Sequence, residues 1–265
     1  INCFQLTQLD ASNWDTSKVT NMGNIFSSCS RLTTIGDVSK WDTSKVKDMN
    51  NMFQGCTKLT QLDLSKWDVS KVTNMGYMFR NCPQLTTIGD VSNWDTSLVT
   101  HMNEMFSGCK GLTQLDVSDW DTSKVQYMGS MFTSCSSLTQ LDVSNWDTSN
   151  VTTMSSIFNS CSSLIQLDVS NWDTRNVVWM NDVFRSCSKL TQLDLSNWNT
   201  KNVVYMNYMF YQCSQLTTIG DVSNWNTSSV DNITYMFSSC SSLTQLDLSN
   251  WDVSKVTNMN NMLHN

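Results

Sequence analysis

Residue types that can do chemistry recur in this chain at one pace. Cysteines stand at positions 3, 29, 56, 82, 109, 135, 161, 187, 213 and 240, each step being 26 or 27 residues. Such a column offers disulfides, metal ligation or packing. Adjacent parallel strands lie about 4.8 Å apart, which a disulfide could nearly span. Copies of one repeat all point the same way, however, a poor arrangement for a bridge. No CxxC pair or histidine cluster marks a zinc site. The column reads as small buried hydrophobes with reduced thiols.

A carboxylate column keeps the same step: Asp10, Asp37, Asp63, Asp90, Asp116, Asp142, Asp168, Asp194, Asp221 and Asp247. Like charges in neighbouring register repel, so the row needs compensation. Hydrogen bonds from nearby Ser and Thr hydroxyls under a loose cation atmosphere would supply it. Calcium held at Asp63, Asp90, Asp116, Asp142 and Asp168 is the sharper alternative, and the only cofactor the residues suggest. One carboxylate per repeat is a thin ligand set. A second acidic residue follows each column Trp but is Asn at Asn199 and Asn226. That tolerance suits a turn, because Asn makes the same local hydrogen bonds.

Ten of the eleven tryptophans share the period, from Trp14 to Trp251. A row of indoles could form a carbohydrate platform, but unbroken identity is better read as a packing spine. Two Thr-rich columns, one running from Thr16 through Thr122 to Val253 and one from Thr7 through Ile165 to Thr244, resemble the flat ranks of ice-binding solenoids. Thr exchanged for Val or Ile equally describes a half-buried position.

If constant columns build the scaffold, recognition falls to positions that vary. The residue before the first Met of each unit reads Asn21, Asp48, Asn74, His101, Tyr127, Thr153, Trp179, Tyr205, Asn232 and Asn258. Slightly further on come Tyr208, Tyr211 and Tyr235. Trp179, Tyr205, Tyr208, Tyr211 and Tyr235, with Tyr127 nearby and Arg175 and Arg185 for polar grip, form the candidate binding set. Catalysis finds no support: His101 and His264 share no motif with a nucleophile or acid, and no unit holds a constellation its siblings lack.

These columns require a repeated scaffold. Within a unit, "LTQLDLS" (59–65) alternates apolar and polar residues as a strand does. Val72, Met75, Met78, Phe79 and Cys82 fall at steps of three and four, which predicts a short helix with Ser70 as its N-cap. The 27-residue units carry an extra Gly (Gly36, Gly89, Gly220), read as a bulge. One strand and one helix cannot bury their own apolar faces, but a stack can. The expected fold is an α/β solenoid, one domain over residues 1–265. Its ten units place a parallel sheet on one face and short helices on the other, about 50 Å long at the parallel-strand spacing.

The spacing L-x-x-L-x-L-x-x-W (Leu59, Leu62, Leu64, Trp67) is that of a leucine-rich repeat with Trp where Asn or Cys is usual. The run "MFRNCPQLTTI" (78–88) and the W-D-x-S-x-V-x-x-M-x-x-M-F string resemble the BspA-like leucine-rich repeats, the bacterial surface protein 26-residue repeat. The resemblance covers the whole chain. It implies a right-handed leucine-rich-repeat superhelix at a cell or particle surface, acting in adhesion or protein interaction.

Charge narrows the partners further. Net charge is −7 with 15% charged residues, which disfavours nucleic acid and anionic membrane surfaces. A protein or glycan on a host or neighbouring cell is the expected partner, without membrane insertion. The expected location is extracellular or at the cell surface, with no targeting signal in this chain. A calcium-stiffened spacer is the further alternative. Neither end shows a polar cap, so a fragment of a longer array or end-to-end self-association is expected, unless Phe4 and Leu263 already act as modest caps.

Overall fold

The computed structural model describes residues 3–264. Successive repeats stack in register, each residue facing its own copy in the next unit. Parallel bridges run unbroken through Asn21, Asp48, Asn74, His101, Tyr127, Thr153, Trp179, Tyr205, Asn232 and Asn258. Amides and carbonyls beside this line bond across units, as in Ser130 N–H to Ser155 O (2.8 Å), Phe132 N–H to Ile157 O (2.9 Å) and Ser134 N–H to Asn159 O (2.7 Å). Because the donors and acceptors lie in different units, no single repeat satisfies its own backbone.

The predicted helices are absent: among the described residues the backbone makes turns and isolated bridges only. The unit from Trp120 to Asn145 shows why. Its turns close by i→i+3 bonds from Val125 to Thr122, Met131 to Met128, Cys135 to Phe132 and Leu138 to Cys135, at 2.9–3.2 Å. Between turns the buried residues advance by three: Val125, Met128, Met131, then Phe132, Cys135, Leu138. A helical face needs threes and fours in alternation, whereas chained β-turns need threes. Ser130 (φ 57) and Ser134 (φ 60) occupy the third position of two of these turns in left-handed conformation. That is the geometry of type II turns, and it ends any helical run.

The parallel pairing also moves. Its continuous line lies in the stretch expected to be helical. The "LTQL" stretch pairs at just three described places, Gln8 with Thr34, Gln61 with Thr87 and Gln192 with Thr218. Each lies beside one of the inserted glycines. Gly89 has φ +83, and a Cβ there would stand 2.7 Å from Asp63 Oδ1, so only glycine allows that approach.

Inside the coil the bulky columns stack on themselves. Phe rings from Phe26 to Phe237 lie 5.2–5.9 Å apart between centroids. The Trp column is the packing spine expected of it, with Trp146 and Trp172 at 6.3 Å and 1° between planes. Each indole N–H from Trp41 onward also donates to a backbone carbonyl of the preceding unit, as Trp146 Nε1 does to Val117 O at 3.0 Å. The cysteines from Cys29 to Cys240 are free and buried. From Cys56 on, each thiol is within hydrogen-bond reach of a Phe carbonyl of the unit before, such as Cys161 to Phe132 O at 3.1 Å.

Two measurements follow. Replacing Trp146 by Ala removes a stacked ring and leaves Val117 O without its donor, so stability should fall by about 3–5 kcal/mol in denaturant titration. Burial pushes the Cys109 and Cys161 thiols up to about 12. The unfolded chain ionises its thiols near 8.5 while the folded one holds them neutral. A raised folded value gives stability that is complete below the unfolded value and lost as pH climbs above it. Thermal melts should therefore decline from about pH 9 upward, and thiol reagents should reach the buried column only after denaturation.

Candidate binding surface

The polar columns close turns. Asp142 accepts from the amide of Ser144 (3.1 Å) and from its hydroxyl (2.7 Å). The same residue-to-i+2 pattern recurs at Asp63, Asp90, Asp116 and Asp168, each with the following Ser. The hydroxyl bond first, then the amide bond, hold the carboxyls of Asp63, Asp90 and Asp142 below the usual range. Local Ser donors, one of the two compensations considered for the row, are thus in place. Among the described residues no group of three or more His, Cys, Asp or Glu could hold a metal ion. The second acidic column does the same at the next turn: Asp147 accepts from Ser149 N, and Asn226 replaces it while accepting from Ser228 N and Oγ.

The Thr column containing Thr122 is not a surface rank. Thr122 is 1% exposed, and its hydroxyl donates to Asp147 O of the next unit at 2.9 Å. Threonine fits there because its methyl fills the core while its hydroxyl bridges units, and an ice-binding face cannot be built from it. The other Thr column is largely exposed but interrupted by Ile165.

A third turn-closing column lies on the bridge line itself. Asn21, Asp48, Asn74, Asn232 and Asn258 each accept from the amide two residues on, at 2.7–3.1 Å. In the five units between, His101, Tyr127, Thr153, Trp179 and Tyr205 take that place and make no such bond. Tyr127, Trp179 and Tyr205 are 40%, 44% and 36% exposed. His101 and Tyr127 are in ring contact at 4.7 Å. Sequence reasoning placed His101 and Thr153 in this column without assigning them to the site. The loss of the Asx residue was the signal.

Tyr208 and Tyr235 stack at 5.1 Å, and Tyr211 meets both edge-on at 5.6 and 5.8 Å. The Arg185 guanidinium lies 5.0 Å from the Tyr208 ring and 5.3 Å from Tyr211, with Asp182 at 3.0 Å. Tyr208 and Tyr235 adopt φ 59 and 55, a conformation that is costly for a bulky side chain. Arg175 is placed differently. It sits in the turn after Trp172, paired with Asp173 at 2.6 Å, and has no part in the ring cluster. A similar feature that sequence reasoning missed is Arg80, which spans Tyr77 in its own unit and Glu104 in the next.

Comparison with known proteins assigns the chain. It belongs to the family described as "Mycoplasma protein of unknown function, DUF285", which matches residues 2–88, 87–141, 135–221 and 194–265. Among solved structures it is similar to the T. pallidum leucine-rich repeat protein, at 18% identity and TM-score 0.47, over 73% of this chain and 81% of that one. A leucine-rich repeat protein from Eubacterium ventriosum shows 16% identity and TM-score 0.44, over 97% and 80%. A leucine-rich cell surface protein from Faecalibacterium prausnitzii shows 16% identity and TM-score 0.33, over 92% and 78%. No curated protein matches. The chain is a repeat solenoid of this family, its units stacked in parallel register.

The carboxylate turns set an acid limit. A depressed folded pKa gives stability present above the unfolded value, near 4, and lost as pH falls through the folded value. Thermal melts should drop steeply below about pH 4. Asp142→Asn should keep the turn and its neutral-pH melting temperature, whereas Asp142→Ala should lower it.

Proposed function

We propose that this chain is a non-catalytic binding scaffold of a cell-surface or extracellular protein, acting in adhesion or interaction with a protein or glycan. The observation that carries this reading is the exchange on the bridge line. Five units give up a turn-closing Asx side chain, and three of them present a large exposed ring instead. Each ring keeps more than a third of its surface open to solvent, and a rigid backbone ladder holds it in place, which is the arrangement of a binding hot spot. The Tyr208, Tyr211, Tyr235 and Arg185 cluster extends the aromatic surface through units seven to nine.

The acidic balance, −7 overall, speaks for a partner that is neither nucleic acid nor an anionic lipid surface. No described helix is long and apolar enough to cross a membrane. The resemblance to surface repeats supports placement outside the cell. A scaffold whose units repeat one set of residues also leaves few places for the asymmetric constellation a reaction needs.

Protein and glycan arrays probed with the purified chain test this. Trp179→Ala and Tyr205→Ala should each weaken a captured partner roughly tenfold or more, the loss typical of central aromatic contacts. Their melting temperatures should fall only modestly, because a large part of each side chain is open to solvent. Retention of full affinity by the double variant would refute the assignment of the face.

A further inference from the structure

An open, mainly apolar depression of about 330 Å³ lies over units four to six, lined by His101, Asn103, Tyr127, Gly129 and Thr153. Two of these residues are rings in contact, His101 and Tyr127, at 4.7 Å between centroids and 33° between planes. Gly129 contributes space. It is not one of the left-handed glycines, and a Cβ there would meet Ser155 O and Thr153 Oγ1 at an ordinary 3.5 Å. Other units carry Asn50, Asn103, Asn181 and Asn207 at the same column position, two residues past the bridge line. The fold does not require glycine at 129, so the missing side chain serves the depression and not the backbone.

Charge around the depression is one-sided. Residues 82–160, the three units that contain it, hold eight Asp or Glu against only Lys110 and Lys124, a balance of −6 within the −7 of the whole chain. One of the eight, Glu104, is paired with Arg80 at 2.8 Å. Polar capacity inside is small. His101 Nδ1 lies 2.8 Å from the Thr100 hydroxyl, and the half-buried Asn103 amide has no hydrogen-bond partner among the described residues.

We infer that this depression receives one aromatic side chain from a basic, Lys- or Arg-flanked segment of a protein partner. Rings pack favourably on rings at centroid distances of about 4.5–7 Å, which His101 and Tyr127 offer to a third. The volume is at the small end of the range for ligand sites, about 300–1,000 Å³, and suits a single large side chain. Because the depression is open, its occupant must be covered from outside, which the body of a protein partner does and a free small molecule does not. A sugar would bring more hydroxyls than a mainly apolar lining can pair. The acidic units draw basic flanks, and that attraction is screened by salt. The inference rests on the binding reading above and chooses protein over glycan as its partner class.

The test titrates the whole chain with fluorescein-labelled peptides Lys-Lys-Gly-X-Gly-Lys-Lys, X being Trp, Tyr, Phe or Ala, and with the Trp peptide carrying Glu in place of Lys, read by anisotropy. Gly129→Asn fills the depression with a side chain the column already accepts, and Tyr127→Ala removes a ring. The three aromatic Lys peptides should bind more tightly than the Ala and Glu peptides, and more weakly as salt rises. Each variant should weaken them roughly tenfold or more, with Gly129→Asn melting close to the wild type. Aromatic peptides no better than Ala, equal binding of the Glu peptide, or affinity untouched by both variants overturns the inference. So does a neutral glycan whose binding Gly129→Asn abolishes. An arrayed partner lost with Trp179→Ala and Tyr205→Ala but kept by Gly129→Asn overturns it while sparing the binding reading. Absence of any peptide, protein or glycan partner overturns both.

Discussion

Each residue in this protein is stacked on its own copy. The backbone bonds that hold the coil run between units, from Met102 N–H to Tyr127 O and from Met154 N–H to Trp179 O, so register is shared by every column at once. A side chain therefore survives only if it can tolerate itself about 5 Å away. Phe and Trp do so by ring stacking, with indole planes as little as 1° apart. Cys does so as a small apolar group with a carbonyl in reach, and Thr by joining a core methyl to an inter-unit hydroxyl bond.

Charge is the hardest case. A ladder of carboxylates repels itself, and the chain answers with Ser two residues later. Its amide and hydroxyl both point at the carboxylate, a local solution that needs no partner from outside. The same motif closes three turns in many units, which explains the abundance of Asp, Ser and Asn. Turn closure and charge compensation are one device here. Sites where the device is given up, at His101, Tyr127, Thr153, Trp179 and Tyr205, are the places where the scaffold diverges from its own rule.

The repeat length, the buried columns and the packing role of Trp and Cys were all legible in the sequence, because periodic identity reports directly on which residues must meet their copies. The composition also argued against nucleic acid. The residues proposed for recognition stood out as well, since Trp179, Tyr205, Tyr208, Tyr211 and Tyr235 place large rings in columns that vary from unit to unit.

Tertiary structure decided the rest. Apolar steps near three suit a short helix or a chain of turns, and only inter-unit bonding selects between them: left-handed residues such as Ser130 and Ser134 aim their amides at the next unit, which a helix would forbid. The Thr122 column was ambiguous for the same reason, because a buried hydroxyl needs an acceptor, and that acceptor belongs to another repeat. Arg175 and Arg185 are ten residues apart in one unit, yet one closes a turn and the other covers tyrosines. Sequence supplies the periodicity of a column, but which way each column faces is set by the turns that successive units make together.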